Sequence, residues 1–186
     1  MKPVRIPSYL HDVFGETPAK GAMAGILLFG GLLTAALYWR FPDMSDRLPA
    51  WRIGLALLLI FDIFAGCIAN FTESTSNYYA ERKRHRIVFL AVHIHLVLVA
   101  LLLGTDIGHA TGVWVYTIAG AFVVNALIGR SSQRYAAALL LSAGLAALPM
   151  LPGMPPYMLI VCSLFMVKVL FGFAVDHEAW AKPKRL

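Results

Sequence analysis

The chain has 186 residues, of which 59% are hydrophobic and only 14% charged, and its mean hydropathy is +0.70. A soluble domain carries about 25% charged residues, so a water-soluble fold is excluded and a lipid bilayer is the expected solvent and partner. The net charge of +6 follows from basic residues gathered at predicted span ends. Nucleic acid is therefore not an expected partner.

Residues 1–20 form an amphipathic leader. "PSYLHDVFGE" reads as a short interfacial helix with Ser8 as its cap, Tyr9, Leu10, Val13 and Phe14 toward the acyl chains, and its charges outward. Asp12 and Glu16 precede the first apolar run and no small-residue cleavage site follows it, so that run is expected to be a retained helix and not a signal peptide.

Crossing a hydrocarbon core of about 30 Å takes about 20 mostly apolar residues. Six segments are candidates within a transmembrane domain of residues 21–178: Ala22–Tyr38, Ile53–Ala69, Ile87–Gly104, Val113–Ile128, Tyr135–Leu151 and Tyr157–Val175. The expected fold is an all-α, polytopic six-helix bundle. Small-xxx-small spacing at Gly21 and Gly25, and at Ser142, Ala143, Ala146 and Ala147, predicts close helix contacts there. "PMLPGMPP" ends the fifth helix, because proline lacks the amide donor and clashes with the preceding turn. Cys67 and Cys162 both fall inside spans, which argues for buried packing and against a disulfide framework.

Twelve of the sixteen Lys and Arg residues lie in the leader, the second and fourth loops, and the basic tail at residues 179–186. Three lie on the opposite side, and Lys168 is inside a span. Positive-inside counting puts both termini in the cytoplasm, as in a bacterial inner-membrane protein, and makes Arg82, Lys83, Arg84 and Arg86 an anchor for anionic lipid. The Asn70-Phe71-Thr72 glycosylation pattern then lies on the wrong side to be used.

Orientation converts position into depth at about 1.5 Å per residue. Asp62 lies roughly 10–15 Å above the cytoplasmic end of its helix, His93 and His95 roughly 10–13 Å deep, Lys168 about 12 Å and Asn125 about 6 Å. A charge at a helix centre costs about 2.5–3.5 kcal/mol on insertion scales, so Asp62 and Lys168 are expected to pair. Asp62, Gly66, Asn70, Glu73 and Asn77 stack on one face if the second helix runs on past the membrane surface. His93 and His95 are two residues apart, so only one is expected to reach the cluster.

The candidate ligand-binding or proton-handling set is therefore Asp62, Asn70, Glu73, Asn77, His93, Asn125 and Lys168. Nearer the surface, Glu73, His85, Asp176 and His177 form a second set able to hold a divalent metal or act as acid and base. Three readings stand open: a pocket that binds or translocates a small solute or protons, an enzyme working at the cytoplasmic leaflet on a lipid or lipid-soluble substrate, and a structural or assembly subunit. The bundle could work as a homo-oligomer or within a larger membrane complex.

Overall fold

The computed structural model describes residues 4–80 and 82–177, and not the side chain of Lys83. The basic tail at 179–186 and Lys2 lie outside the described residues. A 3-10 turn at Ser8–Leu10 runs into α1 (His11–Phe14), followed by α2 (Lys20–Arg40), α3 (Ala50–Ala69), α4 (Glu73–Ala80), α5 (Lys83–Val92), α6 (His95–Leu103), α7 (Ile107–Ala126), α8 (Ser132–Ala147) and α9 (Pro156–Met166). α9 widens into a π-helical stretch at Val167–Phe173.

Among the described residues, five helical runs are long and apolar enough to cross a membrane: Lys20–Arg40, Ala50–Ala69, Arg84–Leu103, Ile107–Ala126 and Pro156–Phe173. The fifth predicted span corresponds to α8, which has only 16 residues before a 3-10 turn at Leu148–Met150. That is about 24 Å of helix against a core of about 30 Å.

α3 is the centre of the bundle, packing on α2, α6, α9 and the π-helical stretch, while α7 joins α6 to α8. Ile60, Ile63, Phe64, Leu96, Phe165 and Leu170 fill the core without solvent contact. α2 lies at the edge and approaches α3 most closely at Gly30, where an added Cβ would fall 2.9 Å from that of Ala65. The predicted small-residue contacts are displaced: Gly25 faces open space, and Ser142, Ala143, Ala146 and Ala147 are exposed. On α8 the contact is instead made by Gly144, against Met166 and Tyr116. Both cysteines are buried and unpaired.

Two predicted helices are interrupted. α3 does not continue into the polar segment, because local side chains compete for its last backbone groups. Asn70 caps α3 and gives its amide to the Lys168 carbonyl at 3.0 Å, while the Thr72 hydroxyl donates to the Ala69 carbonyl and accepts from the Thr75 amide. Thr72 thus starts α4 as a separate helix. The third span breaks at His93 (φ −78°, ψ 60°), where Ile94 N–H turns back to the Val92 carbonyl. The released His93 carbonyl accepts from Trp114 Nε1 at 2.7 Å, so the break leaves that polar group satisfied.

The leader folds onto the protein. α1 packs on α4 and α3, with Phe14 buried beside Ile26, Ala65 and Ala69, and Leu10 against the same cluster. Tyr9 and Val13 do stay exposed, and Ser8 makes no capping bond. The orientation predicted for Leu10 and Phe14 is overturned because a protein groove offers them closer packing than the acyl chains.

Candidate functional site

Asp62 projects from the middle of α3 toward the π-helical stretch, where Lys168 Nζ donates to its Oδ2 at 2.6 Å and to its backbone carbonyl at 3.2 Å. The Lys168 side chain is 4% exposed, whereas that of Asp62 is 41% exposed. The ammonium is thus sealed in the bundle and the carboxylate looks out of it. Gly66, one turn below Asp62, makes room for the lysine stem, since a Cβ there would run into it.

The break at His93 brings a second polar arm to the same place. An unbroken helix would turn His93 and His95 to different faces. Instead Asp62, His93 and His95 each offer a donor atom within 4.8 Å of the others, and the two imidazoles are 5.0 Å apart. His95 Nδ1 lies 3.0 Å from Asp62 Oδ2. His93 Nδ1 donates to the Phe89 carbonyl at 2.6 Å, and its ring stacks on Phe89, which stacks in turn on Phe173. A carbonyl can only accept, so this bond puts the proton on Nδ1 and leaves the Nε2 lone pair free.

These groups line a cavity of about 710 Å³ whose remaining wall is mostly apolar residues of α2, α3, α5 and the leader, with Asp12, Asn70, Tyr79 and His85 also on it. Leu27, Leu58, Val88 and Val92 at its margin are exposed on the outside of the bundle, so it opens sideways as a groove. Leu10, Val13 and Phe14 close its lower end. The leader is held there by the hydroxyl of Tyr79 on the Asp12 carbonyl, that of Tyr78 on the Asp12 carboxylate, that of Thr75 on the Val13 carbonyl, and an Arg82–Glu16 ion pair. Burial, followed by the negative charge of Asp12, pushes both tyrosine hydroxyls above their ordinary range.

Of the sequence candidates, the structure gathers Asp62, His93 and Lys168, with Asn70 beside them at the groove wall. Glu73 and Asn77 do not join. The helix restart at Thr72 carries them to a separate cavity of about 600 Å³ with Glu16, Thr72, Tyr78 and Arg82. Asn125 accepts from Arg86 Nε at 2.9 Å, away from the groove.

The proposed surface metal set is not assembled. His85 lines the groove, Glu73 the second cavity, and His177 lies against the Phe171 and Gly172 carbonyls. The Asp176 backbone amide donates to Gln133. Arg86, read from the sequence as a lipid anchor, is 3% exposed and bonded inside the bundle. His95 is the site residue that helical spacing left out, and no proline or glycine marks the break that admits it. Compared with known proteins, the chain matches no family model, and no curated protein or solved structure is detectably similar to it.

Proposed function

We propose that this is a six-span bacterial inner-membrane protein with both termini cytoplasmic, whose groove binds a lipid-soluble molecule and presents its polar end to Asp62, His95, His93 and Lys168. The observation that carries the reading is the union of a mostly apolar, laterally open groove with the compact polar cluster of Asp62, His93, His95 and Lys168. An amphiphile matches both parts: its chain replaces lipid along Leu58, Val88 and Val92, and its head exchanges hydrogen bonds with the cluster. Basic residues near the cytoplasmic ends of the spans orient the bundle, and α8 together with its 3-10 turn supplies the sixth, short crossing.

The same geometry favours binding or catalysis over conduction. Ile60, Leu96 and Val99 are fully buried, and they pack in the half of the bundle beyond the cluster. A permeating solute would meet hydrocarbon there. With carboxylate, imidazole and ammonium together, the cluster has the groups for acid–base work on a headgroup at the cytoplasmic leaflet.

A diazirine-bearing fatty acid, photolysed with the purified protein in lipid nanodiscs, tests the reading. Labelling should concentrate on peptides containing Leu58–Asp62 and Val88–Val92, and should fall when Leu58→Trp or Val92→Trp fills the exposed margin. Uniform labelling of all outward faces, α8 included, would remove the groove as a binding site.

A further inference from the structure

We infer that Asp62, His93 and His95 form a binding site for one divalent first-row transition ion, of the zinc or iron(II) class, at the inner end of the groove. The inference deepens the groove reading and rests on it only for the nature of the second ligand.

Three observations support it. First, the donor set is two imidazoles and one carboxylate, the combination that suits zinc and iron(II) and leaves coordination positions open. Second, the Asp62–His95 pair stands at ligand spacing, and His93 has its donor atom within 4.8 Å of both. His95 Nδ1 is buried and has no hydrogen-bond partner of acceptable geometry, although Asp62 Oδ2 lies 3.0 Å away. Two donors each about 2.0–2.2 Å from one metal are themselves about 3.0–3.5 Å apart. Third, His93 is prepared as a ligand: the Phe89 carbonyl holds Nδ1–H and the stacked Phe89 ring fixes the imidazole plane, the outer-sphere support that metal-binding histidines use.

Lys168 sets what else the site accepts. A carboxylate has about four lone-pair positions, so Asp62 can keep the ammonium and still ligate. The ammonium and the carboxylate cancel, and a bound divalent ion then leaves two positive charges in a poorly hydrated place. That charge selects an anionic head, phosphate or carboxylate, on the molecule in the groove.

The experiment uses the full chain purified in detergent, stripped with chelator and dialysed against Zn²⁺ alone, with Co²⁺ as a spectroscopic substitute. One ion per chain is expected, with Co²⁺ absorption bands of a four- or five-coordinate site. His93→Gln and His95→Gln should weaken Zn²⁺ binding by at least about 10-fold, and His109→Gln, on a distant helix end, should not. Lys168→Met, which removes the competing cation and leaves the ligands intact, should tighten Zn²⁺ by about 10-fold. Its helicity and cooperative melting show whether the bundle is folded. No uptake by the wild-type chain, or equal uptake by the His93 and His95 variants, overturns the site. Groove photolabelling without Zn²⁺ uptake would remove the metal and leave the lipid groove, and Zn²⁺ uptake without groove labelling would do the reverse.

Discussion

Arg86 and Lys168 are both buried in this bundle, and their surroundings differ. Arg86 on α5 donates to Asn125 Oδ1 and to the Phe173 and Ala174 carbonyls, and lies over the Phe173 ring. Gln133 completes the knot by donating to the Val124 and Ala174 carbonyls and accepting from the Asp176 amide. Lys168 instead meets a carboxylate whose other side faces a cavity, with two imidazoles beside it. In the first region each of these acceptors has its donor and neither Arg86 nor Gln133 lines either of the two cavities described above, and the arrangement joins α5, α7, α8 and the chain's last described turn. In the second, His95 Nδ1 has no hydrogen-bond partner, and the residues of the cluster line a cavity. Saturated polar groups hold helices together, and unsaturated ones beside a cavity are available to a ligand.

The largest expected effect comes from breaking the saturated knot. Arg86→Met takes the donor from the Asn125 oxygen and the Phe173 carbonyl, leaves the Ala174 carbonyl to Gln133 alone, and should cost about 3–5 kcal/mol, measured by thermal or denaturant unfolding in detergent. Arg86→Lys should recover little, because a compact ammonium cannot span acceptors that a planar fork reaches from several edges. Full recovery by lysine would show that charge alone is needed there.

In the open cluster the cost should depend on which partner is removed. Asp62→Asn strands an ammonium sealed in the bundle and should cost about 3 kcal/mol, near the low end for a broken buried pair because the amide oxygen can still accept. Lys168→Met strands a carboxylate already open to the groove and should cost about 1 kcal/mol. The double variant should cost less than the two single changes combined. Strict additivity would mean that the 2.6 Å contact contributes no coupling.

The smallest effect concerns the leader that closes the groove. Because the Tyr78 and Tyr79 hydroxyls ionise above their ordinary range in the docked state, their contribution is fully present below the ordinary tyrosine pKa of about 10 and is lost as pH rises through the raised value. Proteolysis within residues 4–18 should therefore accelerate above about pH 10. Tyr79→Phe should flatten part of that rise.

Legibility divides along the same lines. The Asp62–Lys168 pair could be read from the chain because depth depends only on residue count, and two charges at one depth in hydrocarbon have few alternatives to each other. The stacking of Glu73 and Asn77 under Asp62 could not, because it assumed a continuous helix, and Thr72 instead starts a new one, whereas Asn70, still on α3's end, stays beside the cluster. His95 was turned away on the same assumption, carried past His93. Arg86 looked like one more basic loop residue, since nothing local separates it from exposed Arg84. Only the carbonyls freed at the end of the π-helical stretch, far along the chain, explain its burial.

What the amino-acid sequence determined by itself is the apolar character of the chain and its long apolar helices, which suit a bilayer because a helix satisfies its own backbone polar groups there. What only the tertiary structure decided is where the helices break, how the leader packs, and which polar groups are left with spare lone pairs. Those outcomes depend on partners distant in sequence. Trp114 takes the His93 carbonyl at the third span's break, and the Lys168 carbonyl takes the Asn70 amide at the end of α3. No local pattern encodes the position of an acceptor on another helix.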